Sequence, residues 1–244
     1  MSWKHRIVDT TNLILSPFNA AIAKKDSLPS WGHLFRMANQ LNFIPVTVFD
    51  IGVAYGTPWL YEAFPDAFYY LIDPLRESLP HMKAISKSLR TEILNVALGD
   101  RSGEIEIEVH ENIGGSTIFI QEGLADTART TSYPVPVRRL DELVKAFESP
   151  ALCKIDVQGA ELGVLRGMEG ILPLLDLVIV ECQNIPTLQG TPEAVQVIAF
   201  MDAHNFGIYD ILSLSRRPLD GATAQMDIAF AGRNSVFFKD KRWS

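Results

Sequence analysis

The stretch VFDIGVAYG (residues 48–56) joins a run of β-branched and apolar residues to a loop that contains two glycines. The run VTVFD (46–50) is typical of a buried strand, and TPWLYEAF (57–64) predicts a helix with Pro58 at its first position. Glycines let the backbone of such a loop turn tightly and leave room for a ligand. The order of strand, glycine loop and helix therefore predicts a ligand site at the end of the first strand.

A carboxylate ends the next predicted strand. The segment AFYYLID (67–73) is apolar and aromatic until Asp73. A carboxylate at this position can accept hydrogen bonds from both hydroxyls of a ribose. Together with the glycine loop, Asp73 predicts a cofactor that contains adenosine. The alternative interpretation is an ordinary turn between strand and helix with an incidental acid.

The composition of the loop favours S-adenosylmethionine over a nicotinamide dinucleotide. A dinucleotide loop follows the pattern G-x-G-x-x-G and faces a pyrophosphate, but Ala54 occupies the place of the second glycine. Asp50 would also lie unfavourably beside a pyrophosphate. The ammonium and sulfonium groups of S-adenosylmethionine are cationic and suit a nearby acid. A nicotinamide-dependent oxidoreductase is the less favoured alternative.

Strands and helices alternate along the rest of the chain. Further strands are predicted at TEILNVAL (91–98), EIEIEVH (104–110), SYPVPVRRL (132–140), ALCKIDV (151–157) and DLVIVEC (176–182). The prolines of the third of these indicate an edge position. This alternation predicts an α/β fold with a Rossmann-like, doubly wound and mostly parallel sheet that ends in an antiparallel C-terminal strand.

The composition is that of a globular chain without membrane spans. Its 244 residues are 47% hydrophobic and 21% charged, and the net charge of -7 disfavours a nucleic-acid partner. The two cysteines, Cys153 and Cys182, are too few for a disulfide-stapled scaffold. No apolar run reaches the roughly 20 residues that span a bilayer, and we expect a cytoplasmic protein. We predict a helical extension at 1–45 and a main domain at 46–244.

Three residues near the end of the strand ALCKIDV are candidates for catalysis. Asp156 would face the ligand cleft, where it could act as a general base, a metal ligand or an orienting group. The alternative is that Asp156 or Gln158 caps the following helix. A lysine in an apolar strand is costly unless paired, so Lys154 is expected to pair with Asp156 or Glu161. Lys154 could otherwise extend to water.

Other polar groups could complete the cleft. Glu181 follows an apolar strand and could face the cleft, form a cation site with Asp156, or anchor a loop. No histidine stands at metal-ligand spacing from these acids, which disfavours zinc, and a magnesium-type oxygen site stays open. Among the histidines, His110 is the one to test. The neighbouring loop at 112–117 could line the substrate or be only a turn.

Taken together, these motifs resemble the FkbM family of S-adenosylmethionine-dependent methyltransferases. The resemblance runs from about Thr47 to Phe238. It includes VFDIGVAYG (48–56), IDP (72–74), NVALGDRSGEIEIEV (95–109), RRLDEL (138–143), KIDVQGAELGVLRGM (154–168), VIVEC (178–182) and AQMDIAF (224–230). It implies a Rossmann-like methyltransferase fold and methyl transfer to a hydroxyl oxygen, often of a sugar or a natural product. The implied partner is a small-molecule or glycan acceptor.

The resemblance also assigns residues by position. Those that would hold the cofactor are Asp50, Gly52, Gly56 and Asp73, those near its adenine are Asn95 and Ala97, and those at the reaction centre are Lys154, Asp156 and Glu161. No metal ligand is assigned.

Two residues depart from the family pattern. Ala54 replaces the usual Asn, and Gln158 replaces the Glu of KIDVEGAE. The first change removes an amide near the cofactor's amino-acid end, and the second removes a charge from the substrate cleft. These departures motivate an alternative function, a catalytically inactive binding or scaffold protein with the same fold.

Overall fold

The computed structural model describes residues 29–118, 129–186 and 190–242, with the backbone alone at 129 and 130. The strands are β1 (Thr47–Ile51), β2 (Phe68–Ile72), β3 (Arg90–Leu94), β4 (Ala97–Leu98), β5 (Gly103–His110), β6 (Arg129–Arg138), β7 (Ala151–Ile155), β8 (Leu177–Gln183), β9 (Phe206–Arg216) and β10 (Thr223–Gly232). The helices are α1 (Trp31–Gln40), α2 (Pro58–Ala63), α3 (Leu79–Ile85), α4 (Leu140–Leu143), α5 (Glu161–Arg166) and α6 (Ala194–Ala203).

Seven strands form the main sheet, in the order β3-β2-β1-β7-β8-β10-β9. The first five are parallel, and β10 runs antiparallel to both β8 and β9. The Rossmann-like sheet and its antiparallel C-terminal end are therefore confirmed. The strand order reverses between β1 and β7, which is where open α/β sheets bind their ligands.

Both faces of the main sheet are covered, which explains why its central strands read as continuous apolar runs. Every residue of β1 and β7 is buried. Alternate side chains enter two hydrophobic clusters, with Phe49 and Cys153 on one face and Val48 and Leu152 on the other. Because side chains alternate, Asp50 and Lys154 share the second face.

The helix α1 contributes to the same core as the main sheet. Leu34 and Ala38 are fully buried in the cluster that contains Val48. The N-terminal part of the predicted extension, residues 1–28, lies outside the described residues, and its boundary at residue 45 stays a prediction. In the portion of the chain that the structure describes, no helix is long and apolar enough to cross a membrane.

Three strands form a second sheet, in the order β4-β6-β5. The sequence pattern does not distinguish these strands from those of the main sheet. Ile107, Val109 and Val135 form the small core of this second sheet together with Leu75, which follows β2. The predicted edge position of the proline-containing strand is wrong for β6 as a whole, since β6 is central. Its prolines nevertheless avoid a second neighbour, because β4 pairs only with Val137 and Arg138.

Candidate active site

A cavity of about 250 Å³ lies at the carboxyl ends of β1, β2 and β7. Its walls come from the glycine loop, the turn after β2, the start of the small sheet, the loop after β5 and the turn after β7. The residues that line it lie within the ranges 51–59, 72–75, 96–98, 107–118 and 154–160. The cavity therefore occupies the place that the strand ends predict.

The glycine loop is packed directly against the turn after β7. Gly52 has a φ of +80°, and a Cβ at this position would lie 1.7 Å from the carbonyl oxygen of Asp156. Gly56 has a φ of +110°. Any larger residue at Gly52 would push the two loops apart, so this glycine sets the floor of the cavity. Both predicted glycines line the cavity.

Asp73 lines the cavity, but protein donors already occupy most of its carboxylate. Its Oδ2 accepts from the Ala54 N–H at 2.8 Å, while its Oδ1 accepts from the Leu75 N–H at 2.9 Å and the Ser78 hydroxyl at 2.5 Å. A carboxylate has about four acceptor sites. Asp73 therefore has room for about one ribose hydroxyl, fewer than the two that the sequence analysis allowed.

The two residues assigned to the adenine have different surroundings. Ala97 lines the cavity. The Asn95 side chain instead donates to the carbonyl oxygens of Asp73 and Leu75, at 2.7 and 3.1 Å. Asn95 thus holds the turn that carries Asp73. A direct adenine contact of Asn95 stays a prediction.

Asp50 lies behind the cavity wall and is fully buried. Its carboxylate accepts from the Tyr61 hydroxyl at 2.5 Å and the Thr57 hydroxyl at 3.1 Å, and the Lys154 ammonium lies 3.7 Å away. Burial raises the pKa of Asp50, whereas Lys154 and the two hydroxyls lower it. Asp50 would therefore act on a cofactor through Lys154 rather than by contact.

Thr57 is the N-cap residue of α2, but its hydroxyl donates to Asp50. Ser30 is the N-cap residue of α1. Neither side chain bonds to a backbone N–H among the described residues of its helix. The demand of the buried Asp50 carboxylate for donors explains the position of Thr57.

Lys154 connects the glycine loop to the acidic end of β7. Its ammonium donates to the Gly52 carbonyl oxygen at 3.0 Å and lies 3.3 Å from the Asp156 carboxylate. Of the two expected partners of Lys154, Asp156 rather than Glu161 thus forms the ion pair. Burial alone would lower the pKa of Lys154, but Asp156 and Asp50 raise it above its ordinary value. Lys154 is therefore a fixed positive charge and not a base.

Glu161 lies beneath the turn after β7, with 2% of its surface exposed. Its carboxylate accepts from the backbone N–H groups of Gly159 at 2.9 Å and Val157 at 3.2 Å. Burial raises the pKa of Glu161 to about 7. The geometry gives Glu161 the role of a turn anchor behind the cavity wall, and its assignment to the reaction centre stays a prediction.

Gln158 brings Asp156 and Glu181 together. Its Nε2 donates to Asp156 Oδ1 at 2.8 Å and to Glu181 Oε2 at 2.9 Å. Asp156 keeps about a third of its side chain exposed and lines the cavity. Neither Asp156 nor Gln158 caps α5 through its side chain among the described residues, so the alternative interpretation of these two residues is wrong.

The remaining candidates from the sequence are His110 and a metal site. His110 ends β5, where its backbone N–H donates to the Ser116 hydroxyl at 3.1 Å, outside the cavity lining. Within the described ranges, no three His, Cys, Asp or Glu side chains are grouped to hold a metal ion.

A loop at 111–118 covers the cavity, and we call it the roof loop. The Ile113 N–H donates to the Tyr55 hydroxyl at 3.2 Å, and the Thr117 hydroxyl donates to the Gln158 carbonyl oxygen at 2.8 Å. The roof loop thus connects the glycine loop to the turn after β7. A role for this loop as a substrate wall, rather than only a turn, stays a prediction, and its two anchors are not predictable from the sequence pattern.

The family comparison agrees with this geometry. Residues 50–208 match the methyltransferase FkbM domain. The chain belongs to the FkbM methyltransferase family. No curated protein sequence matches it significantly.

Solved structures similar to this FkbM methyltransferase are methyltransferases of several kinds. The magnesium protoporphyrin IX methyltransferase of Synechocystis PCC 6803, solved with bound SAM, is 10% identical with a TM-score of 0.45, and the match covers 82% of this chain and 76% of that one. An S-adenosylmethionine-dependent methyltransferase from Clostridium acetobutylicum ATCC 824 is 9% identical with a TM-score of 0.45, covering 81% and 88%. Mitomycin 7-O-methyltransferase MmcR is 14% identical with a TM-score of 0.42, covering 82% and 55%.

The two departures of this FkbM methyltransferase from the family pattern both adopt left-handed backbone. Ala54 has a φ of +46° and Gln158 has a φ of +51°. Asn tolerates this region better than Ala does, so the usual Asn suits the local backbone as well as a ligand. At Ala54, the chain keeps the strained turn because its N–H binds Asp73.

Proposed function

We propose that this protein is an S-adenosylmethionine-dependent O-methyltransferase that acts on a free hydroxyl of a small molecule or glycan. The observation that carries the proposal is the meeting of three elements at one cavity. The glycine loop, Asp73 and Asp156 come from three different strands, and all of them line it. The first two suit an adenosine cofactor, and the third suits an acceptor hydroxyl.

The residues of the cavity fit the cofactor. Apolar side chains from Leu75, Val96 and Ile107 line the part near Ala97 and suit an adenine ring. Asp73 Oδ2 accepts one bond from Ala54 and can accept another from a ribose hydroxyl. When bound, the cofactor supplies an electrophilic methyl group on a cationic sulfur.

Asp156 is suited to take the proton of the acceptor. An alcohol is a weak acid, so its oxygen becomes a better nucleophile when a base removes the proton during transfer. Lys154 fixes one oxygen of Asp156 and Gln158 fixes the other. Trp59 also lines the cavity and can pack against the acceptor. Much of the rate would come from holding the hydroxyl in line with the methyl group.

We also propose a cytoplasmic location. Cys153 and Cys182 are both buried free thiols. Burial raises the pKa of each thiol above its ordinary value, which makes both slow to react. Free buried thiols are typical of a reducing compartment.

The test is calorimetric titration with S-adenosylhomocysteine, with NAD as the control ligand. We expect micromolar or tighter binding of S-adenosylhomocysteine and none of NAD, and at least tenfold weaker binding to Asp73→Ala. Turnover is then measured against a panel of hydroxylated acceptors, with Asp156→Asn as the matched variant. We expect Asp156→Asn to bind the cofactor product normally and to lose turnover. A folded protein that binds neither ligand would favour the inactive scaffold.

A further inference from the structure

A second carboxyl group lies beside Asp156, outside the lining of the cavity. Glu181 lies near the end of β8. The Gln158 amide donates both to its carboxyl group, at 2.9 Å, and to that of Asp156, at 2.8 Å, so the two carboxyl groups are held side by side. Two carboxylates in such contact repel each other when both are ionised, and one of them then keeps a proton.

The surroundings of Glu181 oppose its ionisation. Asp227 is its register partner on β10, and Glu161 adds a further acid from α5. The Lys154 ammonium lies 3.3 Å from Asp156 and is the cation that acts against these acids. Burial, followed by Asp156, raises the pKa of Glu181 to about 9. At neutral pH Glu181 therefore keeps its proton.

We propose that Asp156 and Glu181 form a carboxyl pair that shares one proton, and that Gln158 is the residue that positions this pair. The inference rests on the proposed function and assigns roles within the same site. Asp156 is the catalytic member because it reaches the cavity. Glu181 and Gln158 are positioning residues, since they act through Asp156.

The hydrogen bonds of Asp156 leave room for a substrate. Its carboxylate accepts from Gln158 on one oxygen and contacts Lys154 with the other, and in the proposed pair it also receives the Glu181 hydroxyl. About one of its four acceptor sites is left for the acceptor's O–H. In the transfer, the acceptor oxygen forms a bond to the methyl carbon as the carbon–sulfur bond breaks. The O–H proton passes to Asp156, so the positive charge lost from sulfur appears as that proton.

The amide of Gln158 is well matched to this pair. Its two N–H hydrogens serve one carboxyl group each. An ionised glutamate, the usual family residue here, can only accept hydrogen bonds. It would add a further negative charge beside Asp156, which would itself need a proton or a cation. Gln158 instead holds the pair together without further charge.

The pair can be tested without cofactor or acceptor, by NMR titration of the protein carrying ¹³C at its glutamate carboxyl carbons. The Glu181→Gln variant assigns the Glu181 signal by removing it. We expect this signal to titrate with a midpoint near pH 9. In Asp156→Asn we expect the midpoint to fall by more than one pH unit, because the neighbouring negative charge is gone. A midpoint near the ordinary 4.5, or one unchanged by Asp156→Asn, would overturn the pair.

The positioning role of Gln158 has its own variant and control. Gln158→Met keeps the length of the side chain but removes both donated hydrogen bonds, so the Glu181 midpoint should rise by at least half a pH unit. Gln183→Met is the matched control, because Gln183 lies on the same strand as Glu181 while its amide oxygen accepts from the Thr191 hydroxyl. It should leave the midpoint unchanged. Equal midpoints in both variants would refute the role of Gln158.

The outcome separates the pair from the proposed function. Binding of S-adenosylhomocysteine together with an ordinary Glu181 titration would keep the methyltransferase and refute the pair. A raised, Asp156-dependent midpoint in a protein that binds no S-adenosylhomocysteine would confirm the pair and refute its role in methyl transfer.

Discussion

Lys154 and Asp50 are register partners on the adjacent strands β7 and β1, and their charged atoms lie 3.7 Å apart. Asp50 is fully buried and Lys154 nearly so. The pair stands at the reversal of strand order, directly below the cavity. It therefore joins the two halves of the sheet at the point where the site opens.

Removal of the lysine should leave a buried charge without its partner. We expect Lys154→Met to lower the free energy of unfolding by about 3–5 kcal/mol, the usual effect of breaking a buried ion pair from one side. The double variant Asp50→Asn/Lys154→Met has no charge left to bury and should recover at least half of the loss. Urea unfolding of the three proteins measures both effects. A single variant as stable as the parent would show that the pair contributes nothing.

Two glycines near β7 should respond to alanine in opposite directions. Gly52→Ala places a Cβ against the Asp156 carbonyl at positive φ, so we expect a loss of at least about 3 kcal/mol or failure to fold. Gly163 lies within α5 with open space around its Cβ position. Gly163→Ala should stabilise the protein by about 0.5–1 kcal/mol through helix propensity. Thermal and urea unfolding measure the stability of the two variants. Similar changes of stability in Gly52→Ala and Gly163→Ala would contradict the close packing at Gly52.

Glu161 should make stability depend on pH in the weakly acidic range. Its pKa is about 7 in the folded protein against an ordinary 4.5, so the folded state holds more protons between these values. The free energy of unfolding should therefore fall as pH rises from about 4.5 to 7, by up to about 1.4 kcal/mol per unit. Glu161→Gln cannot ionise and its amide oxygen can still accept the turn N–H bonds.

The measurement for Glu161 is urea unfolding of parent and variant at several pH values. The difference in their unfolding free energies isolates Glu161, because Glu181 and Asp227 are common to both. We expect this difference to change between pH 4.5 and 7 and to be constant above pH 8. A flat difference throughout would show that Glu161 ionises normally.

Ser78 offers a way to separate the structural role of Asp73 from its proposed role in cofactor binding. Its hydroxyl donates to Asp73 Oδ1, which is the oxygen away from Ala54. Ser78→Ala should cost about 1 kcal/mol of stability and weaken S-adenosylhomocysteine binding by less than threefold. Asp73→Ala should weaken the same binding at least tenfold. Calorimetric titration of both variants measures their affinity for S-adenosylhomocysteine. Equal losses of affinity would mean that Asp73 acts only through the fold.

The sequence was sufficient for the outline of the site because its key residues follow strands. The carboxyl ends of parallel strands meet at one edge of the sheet, so the proximity of Gly52, Asp73 and Asp156 could be predicted from the sequence. The side-chain contacts around the site could not be predicted in this way. Tyr61 reaches Asp50, and Gln158 reaches Glu181, through side-chain directions that the spacing of residues does not encode.

The separate three-stranded sheet could not be predicted from the sequence for a related reason. Strict alternation in EIEIEVH indicates one wet face but does not say which sheet the strand joins. Pairing partners far apart in the chain decide that, as for Glu104 with Pro136. The position of Glu161 in the family pattern likewise assigns it to the reaction centre, but it does not predict the burial and the two backbone donors that the structure shows.

The roof loop and the floor of the cavity belong to different sheets. The floor is fixed by Gly52 and the buried strands, while the roof loop packs Ile113 into the core of the small sheet and is joined to the main sheet by two neutral hydrogen bonds, through Tyr55 and Thr117. Such bonds contribute about 1 kcal/mol each, far less than the packing of the core. In the proposed methyltransferase, exchange of spent for fresh cofactor would require these two bonds to break, while the strands of the main sheet stay in place. Since Thr117 is anchored on Gln158, each opening would also loosen the acceptor end, which couples the residence time of the methylated product to that of the cofactor.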